Sequence, residues 1–461
     1  MHAPGDILSP MRFLVDILYL LMLIGVSPVV LYRMIRHGRY RSDASQRLLG
    51  SVPVRYGLQP IIWIHGVSLG EVNAARKLVD ELHRQLPDYQ VVISSTTDTG
   101  MAAARKLFAP SHWVFQWPID FSWAVSRALG RLRPSLVVLM EGDLWPNFLA
   151  ACKRRDIPAV VVNGRLGASK GYPRYQKFRW LLGPMLFNRL AGAGAQTDVY
   201  AERFAELGVP ASGVHVTGML KYDSAEVADR LDGQDALAAA MGVTADQSLV
   251  VAGGTGPGEE AMLLELWPAM KAAHPAARLV IVPRKLERFE EVARLIASAG
   301  HAVVRRSERP DGCDAPADAA SIILCDTMGE LRKFYSLASV VFVGRSLVPM
   351  GGSDMIEAAA LGKPTAFGPH TYNFPQADDL ATHGCVRVAD SAALAETLSG
   401  WLADPQSADA AGTAARAFVI SQQGATQRSV EMICRILDRE PALGEGTVAT
   451  DRLHRPASDA P

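Results

Sequence analysis

Short runs of apolar, β-branched residues recur along this chain, each followed by a longer stretch of helical periodicity, and that alternation restricts the fold more than any other feature. The first series comprises residues 61–65, 91–94, 135–140 and 159–162; a second begins at 248–252 and continues through 279–282, 302–304 and 322–324 to strands around Phe342 and Ala366. Runs this uniformly apolar are strands covered on both faces, and strands separated by helices pair in parallel through crossovers. A chain of 461 residues exceeds what one hydrophobic core organises. Two doubly wound α/β domains facing one another across a cleft are therefore expected, joined by the alanine- and aspartate-rich stretch 225–243, which has helical character.

The 47 Lys and Arg residues balance 47 Asp and Glu, so the net charge of +0 offers no general attraction to nucleic acid. Positive charge is nevertheless concentrated. Arg33, Arg36, Arg39, Arg41 and Arg47 follow the apolar segment 11–32, and Arg165, Lys170, Arg174, Lys177, Arg179 and Arg189 form a second basic stretch that suits anionic lipid or a solvated face. Segment 11–32 approaches the roughly 20 apolar residues that cross a bilayer, and the arginines behind it place the remainder in the cytoplasm. Asp16 and Pro28 interrupt it, so a helix lying in one leaflet competes with a spanning one. A signal peptide would carry its basic residues on the other side. Cys152, Cys313, Cys325, Cys385 and Cys434 are odd in number and lack C-x-x-C spacing, which suggests reduced thiols in a cytoplasmic protein. The histidines form no H-E-x-x-H pair, and no structural metal is expected. Beyond Pro441 the tail has no apolar periodicity and is expected to be disordered.

Several strand ends carry chemistry. The segment from Gly344 to Pro364 reads as a strand exit, a glycine-rich turn and a helix, a pattern suited to holding a phosphate on backbone N–H groups. After the first strand, His65-Gly66-Val67-Ser68-Leu69-Gly70-Glu71 contains G-x-S-x-G, so Ser68 is a candidate hydrolase nucleophile, with Asp223 or Asp326 orienting His370 or His383. Against it, only one strand precedes the motif, whereas a hydrolase elbow is expected in mid-sheet, and no oxyanion segment of the usual type appears. In the alternative Glu71, a carboxylate at a helix start, takes a proton from a sugar hydroxyl; a plain capping role for Glu71 is equally compatible. Glu141 and Asp143 follow a buried strand, where carboxylates point into the crevice of a parallel sheet. The run 172–187 mixes aromatics with Arg and Lys and is suited to lipid docking or to core packing. Arg284 and Lys285 after another strand can grip a phosphate, and Asp326 is a candidate base or ribose contact.

In order, the H-x-S-x-G-E segment, MEGDLWPN, NGRL, TGMLKYD, VPRK, DTMGEL and GGSDMIEAAALGKP followed by GPHTYNF resemble the Kdo transferases, bacterial 3-deoxy-D-manno-octulosonic-acid transferases, from the apolar N-terminal segment to the helix near Cys434. The resemblance implies a GT-B architecture of two Rossmann-like domains: a membrane anchor with basic flank over 1–45, an acceptor domain over 46–225, a CMP-sugar domain over 226–440 and a disordered tail over 441–461. It implies transfer of Kdo from CMP-Kdo to a lipid A precursor of the lipid IVA kind, on the cytoplasmic side of the inner membrane, with inversion, without metal and without a cofactor beyond the donor substrate. By the same resemblance Glu71 is the general base, and Glu141 and Lys221 stabilise the transition state. Pro283 and Arg284 contact CMP; Met328, Gly329 and Glu330 form a second contact; Asp354, Met355, Ile356 and Glu357 form a third, with Glu357 on the ribose.

The chain departs from the family pattern at Gly142-Asp143 for T-E, Lys285 for His, Arg345 for Gly, and Ser353-Asp354 for H-N. Asp354 brings negative charge where an amide is usual, and Lys285 and Arg345 are the expected compensation. A membrane-surface serine esterase and a nucleotide-sugar-binding relative without catalysis are the competing functions.

Overall fold

The computed structural model describes residues 15–22, 24, 25, 27, 32, 36, 43–168, 171–313 and 320–437, so the tail expected from 441 and much of segment 11–32 lie outside the described residues. Among the described residues no helix is long and apolar enough to cross a membrane. The chain divides into two compact units, Met1–Leu220 with Gly424–Pro461, and Lys221–Gln423.

The first unit holds seven parallel strands, β1 (Ile61–His65), β2 (Gln90–Ser95), β3 (Trp113–Gln116), β4 (Leu136–Met140), β5 (Ala159–Gly164), β6 (Gly192–Ala195) and β7 (Val214–Val216), in the order β3-β2-β1-β4-β5-β6-β7. Alternate side chains of β1 serve opposite faces: Ile61 and Trp63 join one core, Ile62 and Ile64 the other. Helix Leu69–Gln85 starts at Ser68, whose hydroxyl caps the Glu71 amide, and buries Val72, Ala75, Leu78, Val79 and Leu82, a stripe of helical period. Strand order reverses between β1 and β4, and ligands of such sheets bind outside the strand ends at that reversal. Glu71 follows β1 and Glu141 follows β4.

The second unit repeats the plan with β8 (Ser248–Thr255), β9 (Ala277–Pro283), β10 (Val303–Arg305), β11 (Ile322–Leu324), β12 (Val340–Val343), β13 (Thr365–Phe367) and β14 (Val386–Arg387), in the order β10-β11-β9-β8-β12-β13-β14. Here the order reverses at β8 and β12. Two doubly wound Rossmann-like units are the GT-B type of architecture expected. Stretch 225–243 is helical only at Gln234–Ala240 and lies within the second unit.

Two segments differ from expectation. Helix Ala425–Ile436, assigned from sequence to the domain ending at 440, packs on the first unit, where Ala425, Val430, Met432 and Ile433 join the core of β1, β2, β4 and β5. The reason lies in β6, Gly-Ala-Gly-Ala: a Cβ on Gly192 would stand 3.0 Å from Ile436 Cδ1 and 2.8 Å from the Gly213 carbonyl oxygen, so the helix approaches only because no side chain is there. The helical residues 15–22, the start of the expected anchor, are fastened to the first unit by polar bonds. Asp16 accepts from the Ser122 amide at 3.0 Å and from Asn147 Nδ2 at 2.9 Å, and the Tyr19 hydroxyl donates to Asp120 at 3.1 Å. Ile17, Leu18, Leu21 and Met22 stay exposed.

Candidate active site

In the first unit the structure brings Glu71 and Glu141 together at the sheet's reversal. Glu71 is 9% exposed; Oε2 accepts the Val67 N–H at 2.8 Å and Oε1 the Ser68 hydroxyl at 2.9 Å. The capping geometry anticipated for this glutamate is thus present, and it also fixes the carboxylate at the strand end. Burial pushes its proton affinity above the ordinary range and the Glu141 charge adds to this, while the Val67 and Ser68 bonds and His65 oppose it. A carboxyl tuned upward is better matched to accepting a proton near neutral pH. Glu141 sits at φ 59°, in the left-handed region that costs a non-glycine residue roughly 1–2 kcal/mol. Its backbone is held from both directions, with N–H to the Val162 carbonyl and C=O from the Arg165 N–H. Strand β1 does lie in mid-sheet, contrary to the placement expected from its position in the chain, but the Ser68 hydroxyl donates to Glu71 and its lone pair caps the helix, an arrangement that does not serve a hydrolase nucleophile.

Lys221 does not join that cluster through the first unit. It begins the second, where Nζ lies 3.0 Å from Asp354 Oδ2 and 4.4 Å from the Phe374 ring centre. Asp354 also accepts the Ile356 N–H at 3.1 Å. Compensation for this aspartate therefore comes from Lys221 rather than from the expected Lys285 and Arg345; the Arg345 guanidinium turns to the Met350 carbonyl at 3.3 Å.

The ends of β8, β9 and β11 in the second unit surround a pocket of about 200 Å³ lined by Gly254, Val282, Pro283, Arg284, Thr327, Met328, Gly329, Leu331, Arg332 and Glu357. Five of the expected donor contacts, Pro283, Arg284, Met328, Gly329 and Glu357, meet there. Burial and then the Asp354 charge raise the Glu357 proton affinity, opposed by Arg332, Arg284 and Lys221. Glu330 and Asp326 are engaged elsewhere: Glu330 takes Arg306 Nε at 2.9 Å and Nη2 at 2.8 Å, and Asp326 takes Arg305 Nε at 2.7 Å and the Ser307 N–H at 2.7 Å. Met355 and Ile356 are buried core residues outside the pocket wall. Two lining residues, Thr327 and Arg332, are not among the expected contacts, although Arg332 stands four positions after Met328, at the start of helix Leu331–Leu337, and its guanidinium was the available signal.

The glycine-rich turn after β12 is not an open cradle along its whole length. Buried Glu259 accepts the N–H groups of Gly256 at 2.9 Å, Ser346 at 2.8 Å and Leu347 at 3.0 Å, and that of Arg345. An internal carboxylate occupies the amides that the sequence suggested for a phosphate. The guanidinium groups in the pocket wall are those of Arg284 and Arg332, the latter also donating to Glu226 at 2.7 Å, and planar forks of this kind match phosphate oxygens. Among the described residues no group of His, Cys, Asp and Glu side chains is arranged to hold a metal ion.

A family model described as 3-Deoxy-D-manno-octulosonic-acid transferase (kdotransferase) matches residues 36–224. The chain is 35% identical over 438 residues to the 3-deoxy-D-manno-octulosonic acid transferase of Bordetella pertussis, covering 90% of this chain and 98% of that one. It is 31% identical over 412 residues to the protein of the same name from Haemophilus influenzae, covering 88% and 94%. Among solved structures, the UDP-GlcNAc 2-epimerase of Neisseria meningitidis bound to UDP-GlcNAc is similar with a TM-score of 0.55 at 14% identity, covering 82% of this chain and 100% of that one, a likeness of fold.

Proposed function

The chain belongs to the 3-deoxy-D-manno-octulosonic acid transferase family, glycosyltransferases that transfer Kdo in lipopolysaccharide biosynthesis, and we propose that it moves Kdo from CMP-Kdo to a lipid A precursor with Glu71 as the base. The observation that carries this is the Glu71 carboxylate, buried at a helix start on the sheet's reversal with its proton affinity raised. CMP enters the Arg284 pocket, where Arg284 and Arg332 face its phosphate and Glu357 accepts from ribose hydroxyls.

Glu71 takes the acceptor hydroxyl proton as the oxygen attacks the anomeric carbon from the face opposite the nucleotide. The carbon–oxygen bond to phosphate breaks with its electron pair leaving on CMP, so the anomeric configuration inverts. Positive charge developing on the sugar is met by Glu141, and Lys221 offsets negative charge near Asp354. No metal is needed where two guanidinium groups carry the phosphate charge.

We place the protein on the cytoplasmic face of the inner membrane. Exposed Ile17, Leu18, Leu21 and Met22 support this, as does Trp180, 76% exposed beside Arg179. The test of function is transfer of labelled Kdo from CMP-Kdo to a lipid A precursor. Glu71→Gln should lower kcat by about 10²–10⁴ and Ser68→Ala should retain transfer; an active Glu71→Gln rejects the assignment. Vesicles containing anionic lipid should float the full chain, and failure to float it rejects the location.

A further inference from the structure

Five of the ten residues that line the pocket, Thr327, Met328, Gly329, Leu331 and Arg332, come from one stretch of chain between the end of β11 and the first turn of helix Leu331–Leu337. Packing does little to fix that stretch: Met328 is 65% exposed, Gly329 sits at φ 90°, and a Cβ on Gly329 would meet nothing within 4 Å. Its restraint is polar and comes from the neighbouring edge strand. β10 pairs in parallel with β11, Arg305 opposite Leu324, so the two strands leave the sheet side by side. Just beyond that pair Arg305 Nε donates to Asp326 Oδ2 at 2.7 Å, while Ser307 donates its N–H to Asp326 Oδ1 at 2.7 Å and its hydroxyl to Oδ2 at 2.6 Å. At the far end of the stretch Arg306 closes a fork on Glu330, with Nε to Oε2 at 2.9 Å and Nη2 to Oε1 at 2.8 Å. The Thr327 hydroxyl donates to the same Oε2, tying the start of the wall to its end.

We propose that Arg305 and Arg306 are positioning residues for nucleotide binding, a clamp that grips Asp326 and Glu330 and so fixes the pocket wall strung between them. The inference rests on the pocket taking CMP. Glu330 then serves the nucleotide through the wall rather than by touching it: three donors occupy its two oxygens, and it is not part of the pocket lining. Arg306 is itself braced. It is 7% exposed, with Nη2 also on Asp311 at 2.8 Å and Nη1 on the Arg309 carbonyl, and Arg305 pairs in addition with Glu290. A planar fork sets direction as well as distance, which a lysine ammonium does not reproduce. Because Glu330 immediately precedes helix Leu331–Leu337, the same fork sets the start of the helix from which Arg332 reaches the pocket.

The experiment is calorimetric titration of the full-length protein with CMP in wild type, Arg306→Lys, Glu330→Gln and the double variant, alongside kcat and KM for CMP-Kdo. Arg306→Lys should weaken CMP binding by about tenfold, the size of one coupling inside a shared hydrogen-bond network, and raise the KM for CMP-Kdo in step, while kcat at saturating donor stays within about twofold. Glu330→Gln should weaken CMP binding in the same direction. The double variant should bind no more weakly than the worse single one, because both changes open the same clamp. Amide hydrogen exchange over 326–332 should quicken in Arg306→Lys, with β8 and β9 as in wild type. A role confined to stability would lower Tm and leave affinity and local exchange unmoved. Should Arg306→Lys fail to fold, Arg305→Lys, with Asp326→Asn as its partner variant, is read in the same way. Wild-type affinity in the folded variants overturns the clamp and leaves CMP in the pocket. Losses that multiply in the double variant overturn action through the carboxylate, and a wild type that does not bind CMP overturns both the clamp and the reading of the pocket.

Discussion

Replacing Glu259 by glutamine tests whether the turn after β12 is held from within or kept for a ligand. The carboxylate accepts four backbone N–H groups, with Oε1 taking Ser346 and Leu347 and Oε2 taking Gly256 and Arg345. An amide of the same shape keeps one oxygen and turns an NH₂ group toward two donors. Two buried N–H groups are then stranded at about 1–3 kcal/mol each, so Glu259→Gln should destabilise the second unit by ~4 kcal/mol. For a domain of this size each kcal/mol shifts Tm by about 2–4 °C, and the transition should fall by roughly 12 °C. Calorimetry of the full chain reads this directly, and titration with CMP at low temperature reads the pocket. A Tm within 2 °C of wild type, or tighter CMP binding through freed amides, would refute the internal-carboxylate account.

Three further outcomes follow from the same structure. Arg284→Ala removes a charge-assisted phosphate contact of about 1.5–3 kcal/mol and should weaken CMP binding by roughly 10–100-fold, measured by calorimetric titration. Burial raises the Asp120 carboxyl to about 7 from an ordinary 3.8, so the folded state binds the proton more readily than the unfolded chain does. Its contribution to stability therefore falls as pH climbs from 3.8 to about 7 and is flat above; denaturant unfolding should show the first unit gaining stability from pH 8 to pH 5, with the gain reduced in Asp120→Asn. The buried Tyr335 hydroxyl has no hydrogen-bond partner among the described residues, and a Cβ on Gly253 would stand 2.2 Å from it. Gly253→Ala should thus cost about 1–3 kcal/mol in equilibrium unfolding, with partial recovery when combined with Tyr335→Phe.

What could be read ahead of the structure follows from which signals are local. Strands β1, β4, β5, β8, β9 and β12 are dense in Val, Ile and Leu, and the alternation exposed them. Strand β6 carries no β-branched residue, because its Gly192 and Gly194 make room for helix Ala425–Ile436, a partner more than 200 positions away. No local pattern announces such a need. Of the pocket residues, Arg284 was legible from its place after a strand, whereas Pro283, Met328, Gly329 and Glu357 were named through the family resemblance. The pairing of Lys221 with Asp354 joins positions 133 apart, and the filling of the glycine-rich turn by Glu259 joins positions 86–88 apart. Both are tertiary facts with no trace in spacing. The grip of Arg305 and Arg306 on Asp326 and Glu330 was hidden likewise, since only the parallel register of β10 on β11 sets Arg305 opposite Leu324.

The helix that covers the first sheet is made only after the whole second unit. A ribosome extruding this chain delivers β1 to β7 well before helix Ala425–Ile436 emerges, and the whole second unit is synthesised in the interval. Until then the nascent product keeps a bare apolar strip over β5 and β6, suited to chaperone capture. A stop codon anywhere from 221 to 424 would release a polypeptide with that strip permanently uncovered.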